Sequence, residues 1–136
     1  MDTDAVVAAM RSPGGASAAI IRAVRQGRAA LLLSVPLAME YEAVCRRSKH
    51  RVEAGFSVCE VETFLDAIIA AAEPVTTHFL WRPQLRDPND EMVLEAAVNG
   101  RADALVTFNL RDYGAVPARF GVDLLLPREA IARIKS

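Results

Sequence analysis

The sequence predicts an α/β fold, with a central and mainly parallel sheet flanked by helices in layers. Short apolar runs such as Ala29 to Leu33 and Asp103 to Phe108 alternate with amphipathic helical patterns. Capping and stop residues bracket most of those patterns. The chain has 136 residues, 52% hydrophobic and 24% charged, which is the material of one core and predicts a single domain over residues 1–136.

Along the chain, Ser12-Pro13-Gly14-Gly15 reads as a turn, since no Gly-Lys-Ser/Thr follows that would make it a phosphate loop. Ile20, Ile21 and Val24 follow at helical spacing, with Gly27 as the stop. Ala29 to Leu33 is a buried strand, then Ser34 and Pro36 suit the N-cap and first turn of the next helix. Leu37, Ala38, Tyr41, Val44 and Cys45 form its apolar stripe, which makes Cys45 a buried thiol, and the basic cluster Arg46, Arg47, Lys49, His50 and Arg51 is expected to end it. Ser57 and Glu60 form a capping box ahead of Val58, Val61, Phe64, Leu65, Ile68, Ile69 and Ala72, the strongest amphipathic pattern present. Val75 to Leu80 is β-rich and reads as a strand. Asp87-Pro88-Asn89-Asp90 opens a helix that runs to Asn99 and stops at Gly100, with Asp87 as its N-cap. Asp103 to Phe108 and Val122 to Leu126 are strands, and Pro127 starts a last helix through Ile131 and Ile134.

A formal net charge of −1 excludes a globally basic nucleic-acid binder but leaves room for a local basic patch. No apolar run reaches the roughly 18 residues of a membrane span, so no membrane partner is expected. The acidic opening Met1-Asp2-Thr3-Asp4 is unlike a signal peptide. Cys45 and Cys59 make neither a metal spacing nor a disulfide framework, and the cytoplasm is the expected compartment.

In open parallel sheets, sites gather at the carboxyl ends of strands. Here that rule selects the start of the chain, the loop after Leu33, the Asp87–Asp90 segment and Thr107-Phe108-Asn109, read as carrying carboxylates or amides. Oxygen ligands of this kind suit a hard divalent cation, Mg²⁺ or Mn²⁺. Glu40 and Glu42 lie about equally far from the middle of the apolar stripe, roughly 90° on either side, so helical geometry leaves both open. Asp90 shares a face with Leu94 and Ala97, whereas Glu91 and Glu95 are expected on the solvent side. An inward carboxylate at a helix start must be paired, protonated or bound to a cation, although a capping role near the helix dipole also suits Asp90. His50 and His78 have no ligand-spaced partner, and Tyr41 and Trp81 suit core or rim packing.

The segments Asp2–Val7 and Arg11–Ser17, then Leu33-Ser34, Glu40–Val44, Arg82–Ala97 and Ala102–Tyr113, follow one another in an order that resembles PIN-domain toxins of toxin–antitoxin systems, across nearly the whole chain. The resemblance implies a nuclease whose acidic cluster binds Mg²⁺ or Mn²⁺ and hydrolyses RNA phosphodiester bonds. It implies that Asp2, Glu40 and Asp90 are catalytic, that these three and Asn109 hold metal, and that Glu40 rather than Glu42 is the helical acid. Asp4 stands where the family more often has Asn, and Asn109 where many relatives carry Asp, which removes one negative charge. Asp112 is a further nearby charge. Arg11, Arg46, Arg82, Arg86 and Arg111 are the candidate RNA-backbone contacts. The implied partners are the RNA substrate, a cognate antitoxin that covers the site, and a second copy in a homodimer.

In the family a β-rich central strand precedes the first Asp, where this sequence has only Met1. Either the true start lies upstream of Met1, or the first strand is truncated; in the second case Asp2 is expected on a frayed terminus. That favours a second reading, a catalytically weakened PIN domain that binds antitoxin or RNA. A third reading, a phosphatase of the haloacid dehalogenase type, rests on Asp2-Thr3-Asp4. It needs a well-placed lysine, and the only lysines are Lys49 and Lys135.

Overall fold

The computed structural model describes residues 1–78 and 83–136. The order of elements is α1 (Thr3–Arg11), α2 (Ala16–Arg25), β1 (Leu32–Leu33), α3 (Val35–Cys45), α4 (Ser48–Ala54), α5 (Val58–Ala71), β2 (Glu73–Pro74), α6 (Pro88–Asn99), β3 (Ala104–Val106), α7 (Leu110–Tyr113), α8 (Val116–Arg119), β4 (Asp123–Leu125) and α9 (Pro127–Lys135). This is an α/β fold with parallel strand pairing. Among the described residues the sheet consists of two separate pairs, β1 with β2 and β3 with β4. Helix α2 packs on α1 and α9, α3 packs on α1, α5 and α6, and α6 lies against β1 and β3.

Local chemistry explains most boundaries. The Ser34 side chain accepts from Leu37 N at 3.2 Å, with Pro36 in the first turn of α3. The Ser57–Glu60 capping box is closed in both directions at 3.1 Å. Asp87 Oδ1 accepts from Asn89 N at 2.9 Å, so Asp87 is the N-cap that its sequence context predicts. Tyr41, Cys45 and Leu37 are buried in the core with Val6, Met10, Leu94 and Leu105.

Several expectations are corrected. The strand expected from Ala29 is only Leu32–Leu33, and its partner is Glu73–Pro74 instead of the run from Val75. Residues 75–78 form no strand, although Val75 N still donates to Leu33 O at 3.0 Å; Phe79 and Leu80 lie outside the described residues, as does Trp81. The basic cluster does not simply end α3. Cys45 is its last residue, and Lys49, His50 and Arg51 belong to α4, which Gly55 closes with a left-handed φ of 73°. On α5 the buried face is Val61, Leu65 and Ile68, while Val58 and Ile69 face solvent. Thr3–Arg11 is a full helix that the sequence pattern did not announce. Among the described residues no helix is long and apolar enough to cross a membrane.

Candidate metal centre

Asp2 stands at the start of α1 as its N-cap, with Oδ1 accepting from Thr3 N at 2.7 Å. Its second oxygen accepts from the Thr107 hydroxyl at 2.7 Å and from the Tyr113 hydroxyl at 3.0 Å. Its backbone N donates to Val106 O at 2.8 Å, and the Tyr41 hydroxyl donates to the Met1 carbonyl one residue earlier. Asp2 is only 6% exposed. The expected frayed position is thus replaced by a buried one, because α1 and β3 both hold this residue through hydrogen bonds.

Asp4, two residues further on, faces the same place. Its Oδ2 accepts from Phe108 N at 3.1 Å and Asn109 Nδ2 at 3.0 Å, and lies 3.3 Å from Thr107 Oγ1. Thr107 has one hydroxyl proton, which goes to the nearer Asp2 oxygen, while its own oxygen accepts from Asn109 N at 3.0 Å. The other oxygen of Asp4, Oδ1, is buried without a hydrogen-bond partner. Burial, and then the neighbouring Asp2 carboxylate, push Asp4 from its ordinary 3.8 up to about 6.

Asp90 sits in the first turn of α6, where Tyr113 OH reaches its Oδ1 at 3.4 Å, so one phenol stands between Asp90 and Asp2. Burial, followed by the charges of Asp2, Asp87 and Asp112, raises Asp90 to about 6. Its neighbour Glu91 is a correction. Expected on the solvent side, it is 9% exposed because its carboxylate accepts the backbone N–H groups of Gln84 and Leu85 at 2.9–3.1 Å, anchoring the loop that leads into α6.

Glu40, on α3, lines a cavity of about 650 Å³ together with Asp2, Asp4, Arg11, His50 and Asn89. Glu42 instead pairs with Arg46 at 2.8 Å on the surface. The structure therefore separates two residues that helical geometry alone left equivalent. Asn109 turns its amide nitrogen to Asp4, so its amide oxygen is the atom that a cation there would meet.

The PIN-domain family model matches residues 1–111. The chain belongs to the PIN-domain family. No curated protein and no solved structure matches it. PIN domains are a nuclease-type fold that typically uses divalent metals. Here the donor set fits such an ion: every donor is a hard oxygen, Asp4 Oδ1 is buried without a partner, and burial and neighbouring carboxylates raise Asp4 and Asp90. Among the described residues, however, no three Asp, Glu, His or Cys side chains already stand as a ready ligand cluster. Both oxygens of Asp2 are engaged in hydrogen bonds, so direct coordination by Asp2 would share or displace Thr107 and Tyr113.

The basic candidates of this PIN domain divide. Arg11 lines the cavity and pairs with Glu53. Arg46 is held by Glu42 and Glu62 at 2.8 and 3.1 Å, on the ion-paired surface of α3 and α5. Arg86 and Arg111 are exposed, and Arg82 lies outside the described residues. His50, to which the sequence assigned no role, is a cavity-lining residue whose Nδ1 is buried without a partner; burial and then Arg11, Lys49 and Arg47 lower its pKa. The lysine required by the phosphatase reading is missing from the cavity wall, since Lys49 and Lys135 are both exposed. Sequence reasoning put Thr107 in a strand-end segment and remarked on Asp4, but it gave no site role to either of them or to Tyr113. The only available signal was Thr107 and Tyr113 flanking Asn109 at the end of a predicted strand.

Proposed function

We propose that this PIN domain is a Mg²⁺- or Mn²⁺-dependent endoribonuclease of the toxin type, hydrolysing RNA phosphodiester bonds and neutralised by a cognate antitoxin in the cytoplasm. The observation that carries this reading is the convergence of Asp2, Asp4 and Asp90 through Thr107 and Tyr113, with Glu40 on the wall of the adjoining cavity. Carboxylates raised by burial and by one another are relieved by a cation. A divalent ion bound there would lower the pKa of water and neutralise charge on phosphoryl oxygens. Asp90, Glu40 and the free oxygen of Asp4 would hold it, and Asp2 would keep the group aligned through its two hydroxyl partners. Arg11, which lines the cavity and pairs with Glu53, would meet the RNA backbone. Exposed Val35 and Met39, four residues apart on α3, offer apolar surface to an antitoxin or a second copy.

The test is cleavage of a mixed RNA pool with Mn²⁺ by the wild type and by Asp90→Asn. We expect loss of at least about a hundredfold in the variant, roughly the cost of removing one electrostatic group from a transition state. Equal, metal-independent cleavage by both would sink the nuclease reading. The second reading, a weakened domain that only binds antitoxin or RNA, is favoured by the complete engagement of Asp2 in hydrogen bonds. Tight binding without cleavage by the wild type would select it.

A further inference from the structure

Just beyond β3 the chain turns one side chain inward and the next outward. Thr107 is fully buried against Asp2, whereas Phe108 is 49% exposed and lines the 650 Å³ cavity with Asp2, Asp4, Glu40 and His50. The backbone under that ring is fixed. Phe108 N donates to Asp4 Oδ2 at 3.1 Å, Thr107 N to Leu125 O at 3.0 Å and Asn109 N to Thr107 Oγ1 at 3.0 Å. A ring with two side-chain torsions on a fixed backbone loses little freedom when something covers it. Among the described residues the one aromatic pair is Phe56 with Phe64, so no protein ring covers Phe108. Another part of the cavity wall is basic. His50 lines it with Nδ1 buried and without a partner, and Arg11, Lys49 and Arg47 are near enough to lower its pKa. Arg47 and Lys49 are exposed and have no carboxylate partner among the described residues.

We propose that Phe108 is the platform on which one unpaired base of an RNA strand stacks, while Lys49 and Arg47 take phosphates of the same strand on the basic side of the cavity. This deepens the nuclease reading and rests on it. A nucleobase has a flat apolar face and a polar edge, and the surroundings of Phe108 match both. The ring offers a π face, while Asn89 and His50 in the same cavity offer polar groups to an edge. A protein partner would instead need a continuous apolar patch, and the neighbours of Phe108 in the cavity include Asp2, Asp4 and Glu40. Those carboxylates repel phosphates when no cation is bound, so the strand's charge falls to the unpaired cations Lys49 and Arg47. The base must be unpaired, because in a duplex its faces are covered by its stacked neighbours.

The probe is a short fluorescein-labelled RNA single strand of mixed sequence, titrated into the full chain by anisotropy in Ca²⁺, a cation with the same preference for oxygen ligands. Phe108→Leu keeps an exposed apolar side chain without the π face and should weaken binding about fivefold or more, the loss that one stacked base carries. Phe108→Trp should bind at least as tightly as the wild type. Its added indole emission, read over that of Trp81, should be quenched by the strand. Lys49→Gln should lower the slope of log affinity against log salt by about one. Wild-type affinity in Phe108→Leu would overturn the proposal and leave the ring to a protein partner. Absence of quenching in Phe108→Trp, or equal affinity for the same strand annealed to its complement, would also overturn it. Cleavage in Mn²⁺ is read separately. Binding that depends on Phe108 without cleavage would sink the nuclease reading and keep the platform, whereas cleavage with binding indifferent to Phe108 would do the reverse.

Discussion

Thr107 Oγ1 donates to Asp2 Oδ2 at 2.7 Å, joining residues 105 positions apart in the sequence and both buried. The same oxygen accepts from Asn109 N, so a single hydroxyl fixes the start of α1, the carboxyl end of β3 and the loop beyond it. Thr107→Val keeps the shape and removes these links. It should cost about 1–3 kcal/mol in urea unfolding, because a buried carboxylate loses a donor. Thr107→Ser should recover most of that loss, and an unchanged midpoint for the valine variant would remove Thr107 from this role.

Stability should depend on pH with a definite sign. Asp4 and Asp90 are held near 6 in the folded chain against 3.8 ordinarily. A raised folded pKa favours folding fully below the unfolded value, and that contribution is lost as pH rises from about 4 through about 6. The metal-free chain should therefore lose stability over this window. Mg²⁺ binds the ionised carboxylates, so it should raise the melting temperature more at pH 8 than at pH 5, by about 4 °C per kcal/mol of binding. A larger Mg²⁺ effect at pH 5, read by thermal scans at both values, would contradict the site as described.

Gly100 ends α6 in an ordinary right-handed conformation, so its role there is one of space. A Cβ would stand 2.6 Å from Leu32 Cδ1, 2.9 Å from Val75 Cγ2 and 3.0 Å from Ala96 O. Gly100→Ala should destabilise by about 1–3 kcal/mol through overpacking. Adding Val75→Ala should return part of it, and a neutral or stabilising Gly100→Ala in chemical denaturation would refute the crowding.

The two thiols should react very differently. Cys59 is exposed, whereas Cys45 is fully buried and burial pushes its thiol up to about 11. Ellman's reagent should label Cys59 rapidly in the native chain and Cys45 only on unfolding. Equal rates for the two would mean that α3 opens readily.

Much of this was legible from local chemistry. Ser34, the Ser57–Glu60 box, Asp87-Pro88 and Gly100 mark their helix ends because capping involves neighbours in sequence. Asp90 was legible as an inward carboxylate, and Glu40 only with the family pattern. Helix α1 was missed because its apolar residues Ala5, Val6, Val7, Ala9 and Met10 make a short dense run, which reads as easily as a buried strand as a helix. Glu91 misled because its partners are backbone groups of a loop, which no helical face pattern encodes. Thr107 was legible only as part of a strand end, and its hydrogen bond to Asp2, like that of Tyr113, became visible only when the chain closed on Asp2.

The family match ends at Arg111, yet β3 finds its paired strand, β4, at Asp123–Leu125. A fragment cut at that boundary would keep all four acidic side chains, Asp2, Asp4, Glu40 and Asp90, and would lose Tyr113 and the support of the strand that leads to Thr107. Counting acidic residues is therefore a poor guide to what such a fragment retains; the tail that carries no candidate ligand supplies the hydroxyl and the paired strand that hold them.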